Sequence, residues 1–395
     1  MSEVARVPQL RFPEFSNEWE KNKLGNLAVI KSGISPSKYE LKTTGSLPFL
    51  KVEDLNNCRK YQFNSRVYSE SLKNSINKNS VIFPKRGAAI RLNKVRINKV
   101  AALMDSNLMA LLPNTELLNT EFLYYKIMLD GLYKIADTST IPQINNKHIL
   151  PYKLNLPILP EQQKIAAFLT AVDSKIEQLS KKQELLGEYK KGLMQQIFSQ
   201  AIRFRAGDTP GQPLLPNGNS PSGSDFPNWE EKRLGDLCEI TTGKLDANAM
   251  VEGGQYRFYT CAKEYYKIDD YAFDTDALIV SGNGANVGYI HHYQGKFNAY
   301  QRTYVLDSFT DNIIFVKFVL DEYLHKRIMK EKNEGNTPYI VMGTLTDMKI
   351  NLPSFSEQAK ISNFLSSIDT KIEQVGKQLR ESKQFKKALL QQMFV

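Results

Sequence analysis

Residues 157–178 read P-I-L-P-E-Q-Q-K-I-A-A-F-L-T-A-V-D-S-K-I-E-Q, and residues 353–374 read P-S-F-S-E-Q-A-K-I-S-N-F-L-S-S-I-D-T-K-I-E-Q. The match runs on to Phe198 and Phe394, with 19 identities in 42 aligned positions at a constant offset of 196 residues. Within it, Ile165, Leu169, Val172, Ile176 and Leu179 recur in steps of three and four, which predicts an amphipathic helix. The second copy gives Ile361, Leu365, Ile368, Ile372 and Val375. The stripes resume at Leu186, Tyr189, Leu193 and Ile197, and at Leu379, Phe385, Leu389 and Met393. Pro157, Pro160 and Pro353 stop any helix from running in, Ser356 is an expected N-cap, and Glu161 and Glu357 suit the first turn. Two rods with matching stripes are expected to pair as an antiparallel two-helix coil. Six lysines against five acids over 161–198 favour that use over DNA contact.

Each copy also opens alike. Trp19, Glu20, Leu24, Gly25, Leu27, Ile30 and Gly33 recur as Trp229, Glu230, Leu234, Gly235, Leu237, Ile240 and Gly243, at offset 210. Leu10-Arg11-Phe12 is echoed by Ile202-Arg203-Phe204. A period near 200 residues is far above the roughly 20–50 of solenoid repeats, so these are duplicated domains. Their middles are dissimilar. The expected fold is α+β, with two mixed α/β domains (1–156 and 226–352) joined by long antiparallel helices (157–198 and 353–395) under a pseudo-twofold repeat. Gly207 to Ser224, rich in Gly, Pro and Ser, reads as a linker inside 199–225.

Composition narrows the class. No apolar run approaches the about 18 residues of a membrane span, and the first residues carry no apolar signal core. Cys58, Cys238 and Cys261 are odd in number and lack C-x-x-C spacing, which fits a reducing cytoplasm and argues against structural zinc. The adjacent His291 and His292 would point to opposite faces of a strand. The net charge of +10 permits a polyanionic partner.

The placement of that charge says more. Residues 85–99 hold Lys85, Arg86, Arg91, Lys94, Arg96 and Lys99, with no acid before Asp105. Val95 to Val100 alternates apolar and polar, as in a half-buried strand that turns Arg96 and Asn98 outward. Lysine and arginine neutralise phosphates, arginine grips guanine, and amides suit adenine. In the second copy, Ser281, Asn283, Asn286, Gln301 and Arg302 are interleaved with Tyr289, Tyr293 and Tyr300. Later segments add Thr138, Thr140, Gln143 and Asn145, matched in position by Thr337 and Tyr339. One middle is Lys/Arg-rich and the other Asn/Gln/Tyr-rich, so an asymmetric two-part DNA target is expected.

No catalytic constellation is found. Gly282-x-Gly284-x-x-x-Gly288 follows an apolar strand but precedes a β-like run, not the helix of a nucleotide loop. Asn155-Leu156-Pro157-Ile158 and Asn351-Leu352-Pro353-Ser354 are only partly similar to the N-P-P-aromatic motif of amino-methyltransferases, lacking its first proline and its aromatic. A non-catalytic DNA-recognition and scaffold role is therefore expected. A stand-alone DNA adenine methyltransferase and a protein-only coiled-coil adaptor are the alternatives.

Two divergent middles, each followed by E-Q-x-K-I and D-x-K-I-E-Q on a long helix and preceded by W-E-x-x-x-L-G-x-L, resemble the specificity subunits of type I restriction-modification enzymes. The resemblance runs from Phe12 to Phe394. The first copy departs from it where Arg91 stands in place of Gly288, leaving only Gly87. The resemblance implies two target-recognition domains that each read half of a bipartite double-stranded DNA site, with the helices setting the separation. It implies docking of two modification subunits using S-adenosylmethionine and two ATP-dependent, Mg-requiring restriction subunits. It implies no cofactor in this chain and a bacterial cytoplasmic location.

Overall fold

A computed structural model describes residues 7–137, 141–205, 226–331 and 338–395, with the backbone of 215–216. The chain forms two compact units. One takes the residues up to Ser180 together with Lys377–Val395, and the other takes Lys181–Gly376. The expected linker and the candidates Thr138, Thr140 and Thr337 lie outside the described residues.

In the first unit a five-stranded sheet runs in the order Ala28–Ser32, Leu108–Pro113, Val81–Pro84, Arg96–Asn98, Tyr61–Gln62. A three-stranded sheet (Tyr68–Ser69, Leu47–Leu50, Leu103–Met104) lies beside it in sequence. The helix Thr120–Asp130 starts where the Asn119 side chain accepts from the N–H groups of Glu121 and Phe122. In the second unit one six-stranded sheet runs Glu239–Thr242, Thr303–Asp307, Phe273–Ser281, Ile290–Ala299, Tyr256–Tyr259, Tyr266–Ile268. Its helix is Ile313–Glu331.

The duplication is visible in the hydrogen bonds. Glu20–Lys23 pairs antiparallel with Lys153–Leu156, and Glu230–Arg233 pairs the same way with Lys349–Leu352. A Cβ on Gly33 would sit 1.9 Å from the Asp105 carbonyl oxygen, and one on Gly243 1.9 Å from that of Ala299. Both positions therefore demand glycine.

The long helices span Leu159–Phe198 and Phe355–Met393. Ser356, expected as an N-cap, lies inside the first turn, as does Pro160, which a first turn tolerates. The motif residues anchor both N-termini. The 1% exposed Glu161 accepts two hydrogen bonds from Arg11, at 2.7 Å each, and one from Trp19 Nε1. Glu357 receives Arg203 and Trp229 in the same way. Gln162 Oε1 accepts from Asn119 N–H, and Gln358 Oε1 from Asn312 N–H, so each glutamine ties its long helix to the start of the shorter one.

The stripe residues bury as expected, but against more than the other helix. Ile165 and Leu169 enter a core with Trp19, Phe122, Leu389 and Phe394, and the half-buried Val172 packs on it. Ile361, Leu365 and Ile368 enter a second core with Ile197, Phe198 and Phe315, with Ile372 packed on it. Ile176, Leu179 and Val375 are also buried. The long helices, expected to join the two domains, thus also contribute to the cores of the globular units. The stripe does not extend through Tyr189 and Phe385, which are 55% and 53% exposed.

Candidate nucleic-acid interface

In each unit a central strand ends in a turn that is met by a segment from later in the chain. After Val81–Pro84, Gly87 adopts φ +78° and donates its N–H to the Pro142 carbonyl, while Lys85 accepts from Ile144 N–H. Arg86 forms an antiparallel bridge with Gln143. After Phe273–Ser281, Gly284 adopts φ +79°, Gly282 accepts from Ile340 N–H, and Asn283 bridges Tyr339. The two glycines occupy the left-handed region that side chains rarely adopt, so the turn is the same in both copies. Beyond it they diverge. The first copy coils into the short helix Ala88–Arg91, whereas the second reaches Gly288, also at φ +79°, and enters the strand Ile290–Ala299. Gly282–Gly288 thus joins two antiparallel strands, which is not the geometry of a dinucleotide loop.

The candidates separate by exposure. In the first unit Arg86, Arg91 and Asn145 are exposed, and Lys85, Lys94, Arg96 and Gln143 are half-buried. The Arg91 guanidinium lies 5.1 Å from the Tyr133 ring centre. Burial lowers the Lys85 ammonium, with Arg86 adding to the effect. Arg96 spends Nε on the Cys58 carbonyl and Nη1 on that of Val95. Asn98 is a correction. It is 0% exposed, accepts from Ser80 N–H and donates to the carbonyls of Asn77 and Val100, so it braces the sheet and faces no solvent.

In the second unit Gln301, Arg302 and Tyr339 are exposed, and Asn283, Asn286 and Tyr300 are half-buried. Gln301 donates to Asp246, and Asn286 Nδ2 to the Cys261 carbonyl. Ser281 is the second correction. It is 0% exposed at the end of its strand, just before the turn.

Two polar groups escaped the sequence reading. Lys60 lies beneath the first sheet, donating to Tyr125 Oη and Thr170 Oγ1 and pairing with Glu121 at 3.6 Å. Lys99 shares Glu121, so two of the unit's positive charges are spent internally. Arg257 lies 4.4 Å from the Tyr265 ring centre and 4.1 Å from that of Tyr293. Arg257 lies on the strand Tyr256–Tyr259, Tyr265 in the segment after it and Tyr293 on the strand Ile290–Ala299, so no motif in the sequence joins the three.

Among the described residues no helix is long and apolar enough to cross a membrane, and no group of three or more His, Cys, Asp or Glu could hold a metal ion.

Comparison with known proteins agrees with this architecture. The family described as type I restriction modification DNA specificity domain matches residues 16–186 and 227–381. The type I restriction enzyme EcoDI specificity subunit of Escherichia coli is 40% identical over 167 residues, which is 41% of this chain and 37% of that protein. The MjaVIII specificity subunit of Methanocaldococcus jannaschii is 23% identical over 414 residues, covering 96% of this chain and 92% of its own length. The crystal structure of a type I restriction-modification S subunit from M. genitalium superposes with a TM-score of 0.67 at 18% identity, covering 98% of this chain and 99% of that one. A structure titled for complex assembly and conformational transition of the type I R-M system gives 0.52 at 15% identity, covering 94% and 96%. The chain belongs to the family of type I restriction-modification DNA specificity domains, and it carries two of them.

Proposed function

We propose that this chain reads a split, asymmetric double-stranded DNA target, one half with each unit, and holds the subunits that act on it. The observation that carries the reading is the pair of equivalent turns with different side chains. Arg86 stands against Gln143 in one unit, and Asn283 against Tyr339 in the other. Phosphate contacts position a protein on DNA, and base-edge contacts specify sequence. A Lys/Arg-bearing turn and an amide- and tyrosine-bearing turn have different base partners, so the half-sites differ.

The chain supplies specificity and no chemistry. Two modification subunits bring S-adenosylmethionine and methylate adenine, and two restriction subunits bring ATP and Mg, all in the bacterial cytoplasm. The long helices set the half-site separation. The relatives named as specificity subunits support this, as does the neighbour titled for complex assembly.

The test is to reconstitute the chain with its modification subunits and map methylated adenines on genomic DNA. One split, non-palindromic motif is the expected result. Methylation without sequence preference, or methylation by the purified chain alone, overturns the proposal.

A further inference from the structure

The strand Tyr256–Tyr259 lies between Ile290–Ala299, to which it is parallel, and Tyr266–Ile268, to which it is antiparallel. Arg257 stands opposite Phe297 on one side and Lys267 on the other. Residues directly opposite across strands share a face, and side chains alternate along each strand. Arg257, Tyr259, Tyr293, Phe297 and Lys267 therefore share one face of the second sheet. Two cations facing each other across a ladder are destabilising, and Arg257 makes no ion pair among the described residues. The fold keeps this charge without a carboxylate partner among the described residues.

It also holds the charge still. Besides the two tyrosine rings, Arg257 Nη1 donates to Tyr259 Oη at 3.2 Å. No other hydrogen bond of this guanidinium is made among the described residues, so most of its donor fork is unspent. Tyr265 is 41% exposed, so the group opens to solvent.

This face is continuous with the candidate interface. The segment Thr260–Tyr265 is tied to the turn by Asn286 Nδ2 on the Cys261 carbonyl, and to the following strand by Cys261 Sγ on the Arg302 carbonyl. His291 Nε2 lies 3.1 Å from the Ala262 carbonyl. Reading a base edge needs a planar donor fork at a fixed angle, whereas neutralising a phosphate needs only a charge.

On these grounds, and resting on the function proposed above, we infer that Arg257 reads a guanine in the half-site bound by the second unit. Tyr265 and Tyr293 hold its guanidinium in plane for that contact.

The test uses the complex with modification subunits, bound to duplex libraries randomised across each half-site. Wild type selects guanine at one position of one half-site. Arg257→Ala weakens binding to the preferred duplex on the order of ten- to a hundred-fold and accepts other bases at that position, with the other half-site unchanged. Arg257→Lys keeps the charge without the fork and relaxes the same position, which answers the question even where the alanine variant fails to fold. Tyr265→Ala relaxes it more weakly. Equal loss on every duplex with a salt slope reduced by about one marks a phosphate contact and overturns the inference. So does an unchanged preference in both arginine variants. A wild-type complex with no base preference overturns the proposed function itself, a result separate from the other two.

Discussion

Lys386 forms an ion pair of 2.5 Å with Asp173, and its ammonium lies 5.5 Å from the Tyr125 ring centre. The repeat supplies the mate. Lys190 pairs with Asp369 at 2.6 Å and lies 4.7 Å from the Phe318 ring centre. Asp173 and Lys190 recur as Asp369 and Lys386 at the repeat offset, so each unit closes its own long-helix contact with an equivalent Lys–Asp pair. The mates are not equal. Tyr125 Oη donates to Asp173 at 2.7 Å, a bond Phe318 cannot make. Asp173→Ala is therefore expected to cost about 2–3 kcal/mol, and Asp369→Ala about 0.5–1 kcal/mol, since Asp369 is 43% exposed. Denaturant midpoints of the two variants check this, and equal losses would contradict it.

The anchors Glu161 and Glu357 predict a sharper loss. Each carboxylate is at most 1% exposed and depends on one arginine, Arg11 or Arg203. Arg11→Met leaves a buried charge without its partner, at about 3–5 kcal/mol. The double change Arg11→Met with Glu161→Met is expected to cost less than Arg11→Met alone, because no orphaned charge remains. Thermal unfolding of the single and double variants decides this. A double variant as unstable as the sum of the singles would show the two side chains acting independently.

Lys60 makes a prediction about pH. Burial lowers its ammonium from 10.5 to about 8, against the pull of Glu121 and Asp173, with Lys386 adding to the lowering. Between those values the unfolded chain holds a proton that the folded chain does not, so stability rises with pH from about 8. Burial raises the hydroxyls of Tyr61, Tyr124, Tyr125 and Tyr152, which makes the folded state lose stability above about pH 10. Between pH 7.5 and 9.5 wild type is expected to gain about 1–2 kcal/mol relative to Lys60→Met. Parallel slopes for the two proteins across that window would show that Lys60 does not titrate there.

These cases also mark what the sequence could tell. The frame was legible because the repeated letters make repeated bonds. Glu161 and Glu357, or Gln162 and Gln358, have the same partners in each unit. Asn98 was misread because alternation separates two faces without saying which is wet. The strand Arg96–Asn98 lies inside the sheet, between Val81–Pro84 and Tyr61–Gln62, and Asn98 is drawn inward to satisfy three backbone groups. Tyr189 and Phe385 fit the helical period, yet helical spacing cannot say where the covering partner ends. Arg257 was invisible because its neighbours Tyr265 and Tyr293 come together only through strand pairing.

Two units with separate cores predict separable recognition. Arg86 is exposed on the turn of the first unit, and Tyr339, 56% exposed, lies against the turn of the second. Neither supports a core, so both alanine variants are expected to unfold within about 0.5 kcal/mol of wild type. In methylation mapping with modification subunits, Arg86→Ala should weaken or relax only one half of the motif, and Tyr339→Ala only the other. Asn98→Ala is the control. It strips hydrogen bonds from three backbone groups, the buried Ser80 N–H among them, and is expected to cost about 1–3 kcal/mol while leaving the motif intact. Variants of Arg86 and Tyr339 that altered the same half-site would refute the division of labour between the units. A changed motif from Asn98→Ala would return that residue to the DNA surface.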